Sequence, residues 1–165
     1  MLKDNYVPLF SEILNTVSKL KTKKEKVAHL QRYNSEALRM LIKSSFDPKI
    51  EWLLPEGTVP FMANDAPEGT EHTMLLQEAR KLYHFIKGGN PTLNQNKRES
   101  MFVQMLEGLN ENEANVLIAA KDKRLHQVYK GLSSKVVKEA FNWTDEYMTD
   151  EHNTYYQQPG SASGV

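Results

Sequence analysis

The chain has no cysteine in its 165 residues. That excludes disulfides, thiol catalysis and cysteine-ligated zinc, and it fits a reducing compartment. It has no excess of charge of either sign, with 21 basic and 21 acidic side chains, so the molecule as a whole is not a strong non-specific polyanion binder. No apolar run approaches the ~20 residues of a membrane span. Met1–Asn5 carries charge where a secretory signal needs an apolar core. The expectation is a soluble, cytoplasmic protein.

Motifs for chemistry are missing as well. There is no His-Glu-x-x-His, no phosphate loop and no Gly-x-Ser-x-Gly elbow. Gly88-Gly89-Asn90 follows a helical pattern rather than a strand, so its amides are not arranged around an anion. None of His29, His72, His84, His126 and His152 lies four residues from another. His72 with Asp65, Glu68 and Glu71 would hold a metal only through a particular loop fold, and polar helix-cap residues are the simpler reading. Glu111 and Glu113, two apart, point away from each other on a helix. General acid–base work needs convergent groups. The sequence therefore predicts no catalytic residues, no metal and no cofactor, and a binding protein rather than an enzyme.

What is present is helical periodicity. Phe10, Ile13, Leu14, Val17 and Leu20 predict a helix over about 8–20, with Pro8 in its first turn. Thr22 and Glu25 have the spacing of a capping box for a second helix to about Tyr33. Asn34 or Ser35 caps a third, with Leu38, Leu41 and Ile42 inward, and Asp47-Pro48 ends it. Thr70 caps a long helix over about 71–87 through Leu75, Leu76, Ala79, Leu82, Tyr83 and Ile86, stopped by Gly88-Gly89. Further helices follow over about 96–107, from Asn110 onward, around Leu125–Tyr129, and from Ser133 or Ser134 to Phe141. In the helix from Asn110, residues Ala114, Leu117, Ile118 and Lys121 fall on one side. The stretch Glu99–Phe141 supplies much of the core, with basic residues opposite.

The fold class expected is all-α: a compact bundle of six to eight short helices in a single domain over residues 1–143. An extended arm interrupts it at 46–71, where Pro48, Pro55, Pro60 and Pro67 alternate with apolar residues. Trp52 and Phe61 are too costly to leave in water, so the arm is read as packed across the helices; a mobile lid or docking peptide is the alternative. Residues 144–165 are acidic and polar, a disordered tail in which Tyr147, Met148, Tyr155 and Tyr156 offer an alternative docking motif.

Charge is segregated along the chain. Residues 1–54 carry 10 basic against 6 acidic side chains and 73–143 carry 11 against 7, while 55–72 and 144–165 carry 4 acidic each and none basic. One basic cluster, Lys19, Lys21, Lys23, Lys24 and Lys26, is lysine-only and interrupted by Glu25, which suits a solvated surface. The other, Lys121, Lys123, Arg124, Lys130, Lys135 and Lys138, surrounds the last helical pieces and is the candidate nucleic-acid site. Helix, tight turn, helix resembles a helix-turn-helix. The last helix lacks Arg, Asn or Gln for base edges, so phosphate contact without sequence choice is expected.

The segments FDPKIEWLLPEGTVPF, EGTEHTMLLQEARKLYHFIKGGN and RESMFVQMLEGLNENEANVLIAAKDKRLHQVYKGLSSKVVKEAF together resemble an uncharacterised small-protein family of tailed phages, mainly myoviruses of marine cyanobacteria and other marine bacteria. The likeness covers about Ser11–Phe141 and brings no catalytic residues. It implies a viral product in the cytoplasm of the infected bacterium, acting there or packaged in the virion. Two functions follow as expectations. One is an accessory protein that binds nucleic acid or a nucleoprotein complex through the 121–138 lysines. The other is a structural or adaptor protein that binds a host or phage protein through the tail or the arm, with Trp52, Phe61 and Met62 as contacts; neither involves a membrane.

Overall fold

A computed structural model describes residues 7–62 and 72–143. The expected tail, the Thr70 cap and the arm beyond Met62 lie outside these. The described residues form eight α-helices and one 3₁₀ segment: α1 Phe10–Lys19, α2 Lys23–Arg32, α3 Glu36–Phe46, α4 Leu75–Glu78, the 3₁₀ segment Ala79–Phe85, α5 Gln95–Gly108, α6 Glu111–Lys121, α7 Leu125–Val128 and α8 Ser134–Phe141. Among them there is no strand, only two isolated bridges, Trp52 with Ile86 and Thr73 with Leu109. No helix among the described residues is long and apolar enough to cross a membrane.

Local chemistry starts most of these helices. Thr22 Oγ1 accepts from Glu25 N–H at 3.1 Å, and the Glu25 carboxylate accepts from Thr22 N–H at 3.2 Å, which completes the expected box. The Thr22 N–H first, and then its hydroxyl, hold the Glu25 carboxyl below its ordinary value. Ser35, Asn94, Asn110 and Ser133 cap α3, α5, α6 and α8 in the same way. At α1, Leu9 offers no acceptor, and the Glu12 carboxylate alone accepts from Leu9 N–H.

Two helices lie at the centre. α3 buries Leu38, Met40, Leu41, Ile42, Lys43, Ser44 and Ser45, and α6 buries Glu113, Ala114, Val116, Leu117, Ala119, Ala120 and Lys121. Each is surrounded on nearly all sides, as an interior helix must be. They pack on each other, with α1, α5 and α7 against α6 and the 3₁₀ segment, α4 and α8 against α3. Lys43, 1% exposed, pairs with the Asp47 carboxylate one turn on.

The helix expected over 71–87 is instead one turn of α-helix followed by the 3₁₀ segment. Leu75, Ala79, Leu82 and Ile86 suit a 3.6-residue repeat, but Ala79, Leu82 and Phe85 suit a repeat of three and all are buried. Backbone pairing decides between them: Leu53 N–H donates to Phe85 O at 2.7 Å and Lys87 N–H to Glu51 O at 2.9 Å. Ile86 is thus drawn out into the bridge with Trp52. Gly88, at φ 91, turns the chain beyond that bridge rather than closing a helix. Leu76, expected inward, is exposed.

The arm is packed as far as Met62. Trp52 is buried, its Nε1 donates to Ser44 O at 3.0 Å, and its ring meets Phe102 edge-on. Phe85 in turn meets Phe102 edge-on with centroids 5.2 Å apart. Phe61 is half-buried against the core, and Met62 is 79% exposed.

Candidate nucleic-acid interface

The six candidate phosphate-binding residues do not share a surface. Lys121 ends α6 with its side chain fully buried. Its Nζ donates to Pro55 O at 2.7 Å, to Gly57 O at 3.3 Å and to the Asp122 carboxylate. Asp122 accepts from Gly57 N–H at 3.2 Å, so Lys121 and Asp122 together clasp the arm. This corrects the expectation for Lys121: three acceptors occupy its ammonium, and phosphate cannot reach it. The apolar stripe Ala114, Leu117, Ile118, Lys121 already carried the signal, because a lysine continuing a buried stripe is itself inward.

Lys123 is half-buried, and its Nζ donates to Asp47 O at 2.6 Å. Burial brings its ammonium down to about 8; the Asp47 carboxylate opposes the shift and Lys43 adds to it. Arg124 is exposed and bonds Gln127. Lys130 and Lys135 are exposed, and Lys138 is half-buried on α8. The expected helix-turn-helix is absent here: α7 is a single turn, four residues long.

The structure adds the other basic cluster. α2 packs closely against α8. Lys23 pairs with Glu139 at 2.8 Å, and Gln31 Nε2 donates to Ala140 O at 3.3 Å. Lys26 lies across Gly131, its Nζ 2.6 Å from where a Cβ would stand. Gly131 holds φ 92, so glycine is required there for the backbone as well as for space. Residues 22–33 and 129–141 carry Lys23, Lys24, Lys26, Arg32, Lys130, Lys135 and Lys138 against only Glu25 and Glu139. Lysines about a hundred residues apart in sequence, part of each cluster, therefore flank one helix seam, a union that no local pattern could reveal. Arg32 also stacks on the Tyr33 ring, 5.4 Å from its centroid.

Beside Gly131 opens a cleft of about 420 Å³ lined by Ser45, Phe46, His126, Leu132, Ser133 and Ser134. The Phe46 and His126 rings meet edge-on with centroids 6.2 Å apart. The partner-binding candidates divide: Trp52 belongs to the core, Phe61 is half-covered, and only Met62 is open. Met62 N–H donates to the Glu107 carboxylate at 3.0 Å. This end of the arm borders a second, mostly apolar cleft of about 300 Å³ between Leu54–Pro60 and α5.

Fold and surface define a small all-helical protein with a basic seam between two of its helices. Residues 13–127 match a family described as "Family of unknown function (DUF6433)", and the chain belongs to that family. No curated protein and no solved structure matches the chain.

Proposed function

We propose that this protein is a non-enzymatic phage accessory protein that binds nucleic acid, or a nucleoprotein complex, in the cytoplasm of the infected bacterium. The observation that supports this reading is the packing of α2 on α8, which brings Lys23, Lys24 and Lys26 of one cluster near Lys130, Lys135 and Lys138 of the other. Exposed Lys24, Lys130 and Lys135 and half-buried Lys26 and Lys138 supply phosphate contacts from two elements at once. The neighbouring cleft, with the Phe46 and His126 rings at its wall, favours single strands, whose unstacked bases rest on aromatic side chains. Without base-edge readers, affinity rests on charge and is weak in sequence choice.

A second reading makes the protein an adaptor, packaged in the virion or bound to a host or phage protein. Its support is the mostly apolar cleft lined by Leu54, Val59 and Pro60, together with the exposed Met62 two residues further along the arm. One experiment separates the two: capture of partners from infected cells with and without nuclease, followed by salt titration of single-stranded and duplex DNA and RNA. Nuclease-sensitive capture with affinity falling steeply in salt is the expected result. Nuclease-resistant capture with no measurable nucleic-acid affinity would replace the first reading by the second.

A further inference from the structure

We propose that Lys123 is a covalent capture site for small uncharged carbonyl compounds, its amine condensing with an aldehyde in the cleft between the arm and the end of α6. This goes beyond nucleic-acid binding and does not depend on it.

The backbone draws attention to the residue first. Lys123 follows the last residue of α6 by two positions and stands at φ 57, in the left-handed region. Its N–H donates to Ala120 O at 3.0 Å, and Arg124 N–H donates to Ala119 O at 2.8 Å. This paired closure of a helix end is ordinarily made by glycine. Every closing bond is main-chain, so the turn itself gains nothing from lysine and is strained by it. What lysine contributes is the amine.

Lys123 lines a cleft of about 450 Å³. The carboxylate that acts on it is already committed: Asp47 pairs with buried Lys43 and accepts from Lys49 N–H at 2.9 Å. Lys123 receives only the Asp47 carbonyl. Buried beside a second cation and left without a carboxylate of its own, its ammonium falls to about 8. A neutral amine keeps one N–H on Asp47 O and retains its lone pair for attack. Lys121, in the same cleft, cannot compete, because its ammonium holds three acceptors. With the Lys123 amine neutral, Lys49 and Lys121 stand against Glu51, Glu56 and Asp122 among the cleft residues, so the lining keeps one excess negative charge and disfavours anionic carbonyl compounds relative to uncharged ones.

In the reaction the nitrogen lone pair attacks the carbonyl carbon and one C–N bond forms. The oxygen then departs as water with two protons that began on nitrogen, leaving an imine. No oxidation or reduction occurs, and hydrolysis restores the amine.

The test uses limiting formaldehyde with cyanoborohydride, which reduces each imine to a methylamine, on the full-length folded protein, with every lysine followed by peptide mass spectrometry. Lys97, exposed on α5, is the internal reference. At neutral pH an amine titrating near 8 has roughly two hundredfold more free base than an ordinary lysine, and its lower basicity takes back part of that gain. Lys123 is expected to react at least about tenfold faster than Lys97, with a rate that levels off above pH 8 and an advantage that disappears in urea. A rate equal to or below that of Lys97 in the folded protein overturns the proposal. So does an advantage that persists after unfolding. Lys123→Arg removes the fast site while leaving the Lys97 rate unchanged.

Discussion

Glu113 is 0% exposed, yet it is a carboxylate. It sits in the first turn of α6, where its own N–H donates to Asn110 Oδ1 at 3.0 Å. Its two oxygens leave the helix for others: Oε1 accepts from Leu75 N–H at 2.8 Å and Oε2 from Ser11 N–H at 3.3 Å. One side chain thus satisfies amides at the starts of α1 and α4. Burial raises its carboxyl above the ordinary value, against the opposing pull of those hydrogen bonds. Because the folded value lies above the unfolded one, this group stabilises the protein most below pH 4.5 and progressively less as pH rises through the folded value. Glu113→Ala abandons two buried amides, at on the order of 1–3 kcal/mol each, partly offset by removing a buried charge. Glu113→Gln keeps one acceptor and is expected to fall between wild type and alanine, with that limb of the pH dependence gone. Chemical denaturation across pH 4–8 measures both effects. The same carboxylate, after burial, helps push the Tyr129 phenol up to about 12. The sequence did not announce Glu113. Beside Glu111, it reads as one of two carboxylates that point apart on a helix, and nothing in α6 shows that two other helices begin next to it.

Among the elements, caps were legible and tertiary rivals were not. Thr22 with Glu25, Ser35 and Ser133 mark helix starts by bonds that reach only three residues, so spacing alone suffices. The 3₁₀ segment was not legible, because its geometry is settled by the arm some thirty residues earlier. The arm itself was expected to pack through Trp52 and Phe61, and the described part does so. Its two ends now predict different sensitivities. Trp52→Ala removes a buried ring and the bond to Ser44 O, and is expected to cost about 3–5 kcal/mol. Met62→Ala removes an exposed side chain while its backbone bond to Glu107 remains, and is expected to change stability by less than about 0.5 kcal/mol. Urea denaturation of the two variants makes the comparison. Similar losses would contradict an arm anchored at its tryptophan.

Over the whole molecule, folding rearranges charge more than any segment foretells. Lys121, which reads as part of a basic face, is drawn into the arm's clasp, and the lysines near residue 24, which read as plain surface, join α8. Fold class followed from periodicity because each helix carries its own stripe; the make-up of the face did not, because it depends on which stripes meet. The proposed interface therefore predicts that distant substitutions act alike. Lys24→Glu with Lys26→Glu on α2, and Lys130→Glu with Lys135→Glu near α8, are each expected to weaken single-strand affinity and to flatten its salt dependence by about one unit of slope per lost contact. Lys121→Met is expected to leave that slope unchanged while loosening the arm. Fluorescence anisotropy at several salt concentrations reads all three, and a slope insensitive to one of the two lysine pairs would confine the interface to the other.

The Glu113 bond to Ser11 joins positions 102 residues apart, and the clasp on Gly57 spans 65. A ribosome releasing this chain delivers the amide and the loop long before the side chains that hold them. The amino-terminal half must therefore wait, with the Ser11 amide unanswered and the Pro55–Gly57 loop unclasped, until α6 and Asp122 emerge and close both connections.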